Sequence, residues 1–107
     1  MKIQDTAGEF EGKLPYELRK NRFNYKIVKR SHKVAIYAQY DGDSQKPDAY
    51  EVFEVIWKKG AEIKGLVIKA GEKFPGDGDF GKTAYSCSTL ERAEIRFLEI
   101  EELIKNR

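Results

Sequence analysis

Only one stretch of this chain repeats its apolar residues with the period of an α-helix, and it comes last. Leu90, Ala93, Phe97, Ile100 and Ile104 recur at intervals of three and four. At about 100° per residue they gather into a single stripe. Ser88-Thr89-Leu90-Glu91, just ahead, has the form of a capping box. In it the Ser88 oxygen accepts from the amide three residues on, and Glu91 reaches back to the cap. Lys105 and Arg107 at the far end complement the helix dipole. The spacing predicts a helix over 88–106 whose stripe lies on something apolar. Ile95 and Leu98 fall outside the stripe, among Glu91, Glu94, Glu99 and Glu102.

What precedes the helix reads in period two. Phe23, Tyr25 and Ile27 alternate with Asn24 and Lys26, and Val34 to Tyr40 is a β-branched and aromatic run. The two predict a hairpin around the polar break Arg30-Ser31-His32-Lys33. Residues 41–48 are a cluster of turn formers. Tyr50 to Trp57 carries apolar residues on both faces, Phe53, Val55 and Trp57 on one and Tyr50, Val52 and Ile56 on the other. A strand of that kind is covered on both sides. Ile63 to Lys69 supplies a fourth strand and Thr83 to Cys87 a short fifth. Between them, glycines and Pro75 forbid regular structure, with Phe74 and Phe80 turned inward as anchors. Residues 1–22 are expected to form an arm that packs over the core in its second half, through Phe10, Leu14, Tyr16 and Leu18, with one helical turn over Tyr16 to Asn21.

A chain of 107 residues has room for one core. The expected fold class is α+β, an antiparallel meander of four to five strands with one C-terminal helix packed across a face. The whole chain, 1–107, forms a single domain, with the arm at 1–22, the sheet at 23–87 and the helix at 88–106.

Twenty basic residues against 18 acidic leave a net charge of +2, so no global field draws the chain to nucleic acid or an anionic membrane. Neither a signal peptide nor a membrane-spanning run is visible, and a lone cysteine fits a reducing compartment. These features point to a cytoplasmic protein.

The stock of catalytic groups is small. His32 is the sole histidine and Cys87 the sole cysteine, and the sequence gives no reason for a thiol and its base to meet. Asp77-Gly78-Asp79 has the start of a calcium loop, but position twelve, where a bidentate Glu belongs, is Ser88. Asp79-Phe80-Gly81 spells a kinase tripeptide without the loops that give it meaning. Zinc fails on ligand number. The expectation is a non-enzymatic protein with no catalytic residue, no cofactor, no metal and no small-molecule substrate.

Two binding surfaces remain. One is apolar: a single helix covers only one face of a sheet, so Tyr50, Val52 and Ile56 on a second face, or Ile95 and Leu98 on the outer helix, could meet a protein partner or a second copy in a homodimer. The alternative is a nucleic-acid surface on the first hairpin. There Arg19, Lys20, Arg22, Lys26, Lys29, Arg30 and Lys33 would contact phosphates, while Tyr37, with its neighbours Tyr25 and Tyr40, offers rings for stacking.

The run Phe74-Pro75 … Asp79-Phe80-Gly81-Lys82-Thr83-Ala84-Tyr85, followed by Leu90-Glu91-Arg92-Ala93 … Phe97, resembles a pattern in small uncharacterised proteins of bacteriophages and mobile elements. Its strand-then-helix ending is also similar to WGR-type nucleic-acid-binding modules. The resemblance spans roughly residues 50–100. It implies a phage or mobile-element setting, where small proteins act on a host factor or nucleic acid, and it assigns no site residue.

Overall fold

A computed structural model of the chain describes residues 12–107. Phe10, expected in the arm, lies outside them. Five antiparallel strands form the main sheet: β1 (Glu17–Lys20), β2 (Phe23–Arg30), β3 (Val34–Asp41), β4 (Ala49–Glu54) and β9 (Ala84–Cys87), in the order β1-β2-β3-β4-β9. Between β4 and β9 the chain leaves the sheet as a ribbon. In it β5 (Ile56–Lys58) pairs with β8 (Gly71–Lys73), and β6 (Ala61–Ile63) with β7 (Leu66–Ile68). One helix, α1 (Leu90–Lys105), closes the chain. The fold is α+β, as the sequence pattern predicts.

Several local expectations change. The stretch from Tyr16 to Asn21 is not a helical turn. Alternation of Glu17, Leu18, Arg19 and Lys20 makes it an edge strand, joined to β2 through Asn21 at φ 61. Ile63 to Lys69 is not a fourth sheet strand either. Lys64 and Gly65 both take positive φ, 50 and 84, which folds the segment into a two-residue hairpin. The helix cap is Thr89 rather than Ser88: its side chain accepts from the Arg92 amide, 3.2 Å away.

Both faces of the sheet are covered. On one side Val34, Ile36 and Val52 meet Ala93, Phe97 and Ile100 of the helix stripe, with Tyr50 and Ile104 at the margin. On the other, Tyr37, Phe53 and Val55 pack with Leu14, and Phe74 and Phe80 close over them. Three rings interlock there: Tyr37 stacks on Phe53 at 5.7 Å and Phe74 meets both edge-on, at 5.5 and 5.2 Å.

A bulge at Val28 sets what β2 offers each side. Ile27 pairs with Tyr37 and Lys29 with Ile36, so one extra residue sits between two ladder positions. The insertion turns Lys29 to the helix side, where its ammonium lies 4.8 Å from the Phe97 ring centre. It turns Arg30 to the opposite side, where the guanidinium grips Glu72 of β8 through two bonds of 2.7 Å. Glu72 also accepts from the Leu14 amide, 2.9 Å away. This carboxylate thus ties arm, sheet and ribbon together.

Candidate interaction surface

The spare sheet face expected from the sequence does not exist. Val52 is fully buried under the helix and Tyr50 is half-buried beside it. The opposite face is filled by Phe74, Phe80 and Leu14. One helix does cover only one face; the loop and Leu14 of the arm cover the other, as expected of Leu14. Of the residues expected to meet a partner, Ile56, Ile95 and Leu98 are exposed.

The basic hairpin is likewise divided. Tyr37 cannot stack on a base: it is wholly buried, its hydroxyl donates to the Pro15 carbonyl at 2.6 Å, and burial pushes its pKa up to about 12. Arg30 is held by Glu72, and the Lys20 ammonium donates to the Pro75 carbonyl. The Arg22 guanidinium sits 5.7 Å from the Phe23 ring. Strand alternation puts Arg19 and Lys26 on the helix side of the sheet, with Lys26 over the Tyr40 ring, and the bulge brings Lys29 to that side too. Lys33 is exposed at the hairpin turn. The cations therefore point to both faces and form no single surface.

His32 and Cys87 line separate clefts on opposite flanks of α1, the first with Glu101 and Lys105, the second with Arg92 and Ile95. Burial pushes the Cys87 thiol up, away from the thiolate a nucleophile needs. Among the described residues no group of three or more His, Cys, Asp or Glu side chains is placed to hold a metal ion, and no helix is long and apolar enough to cross a membrane.

Glu51 escaped the sequence reading. It is a buried charged residue of the described chain, set in β4 opposite Tyr37 and Ser86, and its Oε2 has no hydrogen-bond partner. Burial raises its pKa, and a hydrogen bond from Ser86 opposes that. The available signal was a lone carboxylate between Tyr50 and Val52, in a strand with both faces apolar.

Among the described residues, one open apolar surface lies on the ribbon. Trp57 is 55% exposed, Ile63 56%, Leu66 64% and Val67 66%. Ile63 and Leu66 are opposite one another in the ladder and share a face, while Val67 stands opposite Glu62 on the other. Lys58, Lys59, Lys64 and Lys69 are exposed along the same element. Its foot is a close backbone crossing. Gly12 takes φ +83, and a Cβ there would come within 2.8 Å of the Trp57 ring. A Cβ on Gly71 would come within 2.7 Å of the Gly12 carbonyl, which accepts from the Glu72 amide. Two glycines let the arm lie against the ribbon and hold one side of the Trp57 ring.

Fold and surface together define a small α+β domain with a closed core and a projecting basic, apolar ribbon. No family model, no curated protein and no solved structure matches the chain.

Proposed function

We propose that this chain is a non-enzymatic protein-interaction module that docks through its ribbon. One observation carries the reading: Trp57, Ile63, Leu66 and Val67 stand more than half exposed on an element that the described residues leave uncovered. Burying such side chains is worth about 1.5–3 kcal/mol each, and the core next to them is closed without them. Ribbon strands of three residues are marginal alone, so a partner that covers them also stabilises them. Five lysines lie on the ribbon against Glu62 and Glu72, and Glu72 is already paired with Arg30. A partner surface that is both apolar and acidic matches that pattern.

Trp57 is the sole tryptophan and reports on the ribbon directly. Titration with an acidic, leucine-bearing helical peptide is expected to blue-shift its emission, with the shift lost in Leu66→Asn. Single- and double-stranded oligonucleotides are expected to leave it unchanged. Binding of the oligonucleotides at two salt concentrations, weakened by Lys29→Ala with Lys33→Ala and indifferent to Leu66→Asn, would favour the nucleic-acid reading instead.

A further inference from the structure

The ribbon is basic and apolar; the outer face of α1 is its inverse. Ile95 is 56% exposed and Leu98 60%. At about 100° per residue, Glu91, Glu94, Glu101 and Glu102 fall in a sector of roughly 100° around Leu98, with Lys105 alone among them in the last turn. The helix's arginines lie elsewhere on its circumference. Arg96 sits 4.2 Å from the Tyr85 ring centre and pairs with Glu99, both on the β9 side. Resting on the reading of the ribbon as a docking element, we propose that its occupant is a second copy of this chain, with Ile63 and Leu66 set against Ile95 and Leu98 of the neighbour.

Three observations support that occupant. First, charge complements charge: the lysines around the ribbon tip face the carboxylates around Leu98, while the net charge of +2 leaves little repulsion between copies. Second, each patch has an apolar centre with a charged rim, the usual layout of a protein contact. Third, both patches stay open among the described residues, although Arg107 holds Glu54 through two bonds of 2.7 Å and so brings the end of the helix to the foot of the ribbon. The two surfaces differ, so the contact is head-to-tail: every copy offers one ribbon and one helix, and the assembly grows as a chain or closes as a ring.

Sedimentation velocity of the full chain over a concentration series up to about 500 µM tests this, a range that detects even weak association. The expected result is concentration-dependent growth, weakened by added salt as rim charges are screened. A ribbon variant, Leu66→Asn with Ile63→Asn, and a helix variant, Leu98→Asn with Ile95→Asn, should each associate about tenfold more weakly. Mixed together, they should form a discrete dimer, because the helix of the first and the ribbon of the second are intact. Far-UV circular dichroism checks that both variants fold. A wild-type monomer throughout the series overturns the proposal. So does association that the mixture fails to restore, which would mean ribbon meeting ribbon. If a wild-type monomer still binds the acidic peptide, the docking reading stands and only the second copy is lost; if it binds neither, both fall.

Discussion

The sheet and the ribbon are continuous in the chain, since β4 runs through Val55 into β5, yet they treat the same residue types in opposite ways. Phe53 and Val55 are buried among aromatic rings, while Trp57, two residues on, is half in solvent. Two differences account for it. The sheet has five strands and cover on both faces, so each inward side chain meets partners from another layer. The ribbon has four strands of three residues each, paired two by two, and beyond the arm at Gly12 the described residues give it no second layer to pack on. The buried contacts therefore lie in the sheet, while the ribbon keeps Trp57, Ile63, Leu66 and Val67 more than half exposed.

The largest effect tests the sheet. Phe53 is wholly buried and touches the rings of both Tyr37 and Phe74. Phe53→Ala is expected to cost about 4 kcal/mol in urea unfolding, a large part of the roughly 5–15 kcal/mol that holds a domain folded. A loss under 1 kcal/mol would mean the loop-side core is loose, and the contrast with the ribbon would fail.

Next comes the joint between the regions. Glu72 belongs to the ribbon but is gripped by Arg30 of the sheet. Burial pushes its pKa up, but the guanidinium and the Leu14 amide outweigh that and hold it below the usual carboxylate range. A lowered folded-state pKa gives stability that is full above the ordinary Glu value and is lost as pH falls through the folded one. Glu72→Gln is expected to cost about 2 kcal/mol at neutral pH, since it leaves Arg30 half-buried without its counter-charge. The deficit should shrink on acidification, as urea midpoints measured across the acid range would show. A deficit independent of pH would place the effect in packing instead.

Glu51 should respond with the opposite sign. Its folded-state pKa is raised, so the folded protein holds this proton more tightly than the unfolded chain does, and stability falls as pH rises through the ordinary Glu range toward the folded value. Glu51→Gln removes the buried charge and is expected to stabilise by up to about 1 kcal/mol at neutral pH. The gain should disappear in acid, where the native carboxyl is already neutral. Thermal melts at the two pH values distinguish this from a destabilising loss of the Ser86 hydrogen bond.

How much of this was legible follows the same division. The helix stripe and the β2–β3 hairpin could be read because one burying face imposes one period, and Phe74 and Phe80 because large rings in a glycine-rich loop find cover only by turning inward. β1 was hidden because Leu18 is its one apolar side chain, too little to set a period among Glu17, Arg19 and Lys20. The Val28 bulge was hidden too, because an inserted residue in Ile27-Val28-Lys29 looks like ordinary strand. That single insertion decides that Arg30 serves Glu72 and not a phosphate. Tyr37 was misjudged because periodicity says that a face is buried without saying what buries it. The ribbon's open apolar residues read as a sheet strand in the sequence because exposure depends on a second layer, which a local pattern does not encode.

The smallest effect on stability is the sharpest test of the comparison. Leu66 is 64% exposed at the ribbon tip, and β7 pairs only with β6. If folding made use of it, Leu66→Asn would cost as much as a core change. If the ribbon is a docking element, the substitution removes no core contact, and urea unfolding of dilute protein should move by no more than about 0.5 kcal/mol. At high protein concentration the same change should lower the melting temperature relative to wild type, because a folded state that binds its own kind gains stability by mass action and the variant gains less. The discriminating quantity is thus the dependence of the melting temperature on concentration. A Leu66→Asn protein destabilised by 2 kcal/mol even when dilute would show that the ribbon contributes to the fold after all, and the division between sheet and ribbon would have to be withdrawn.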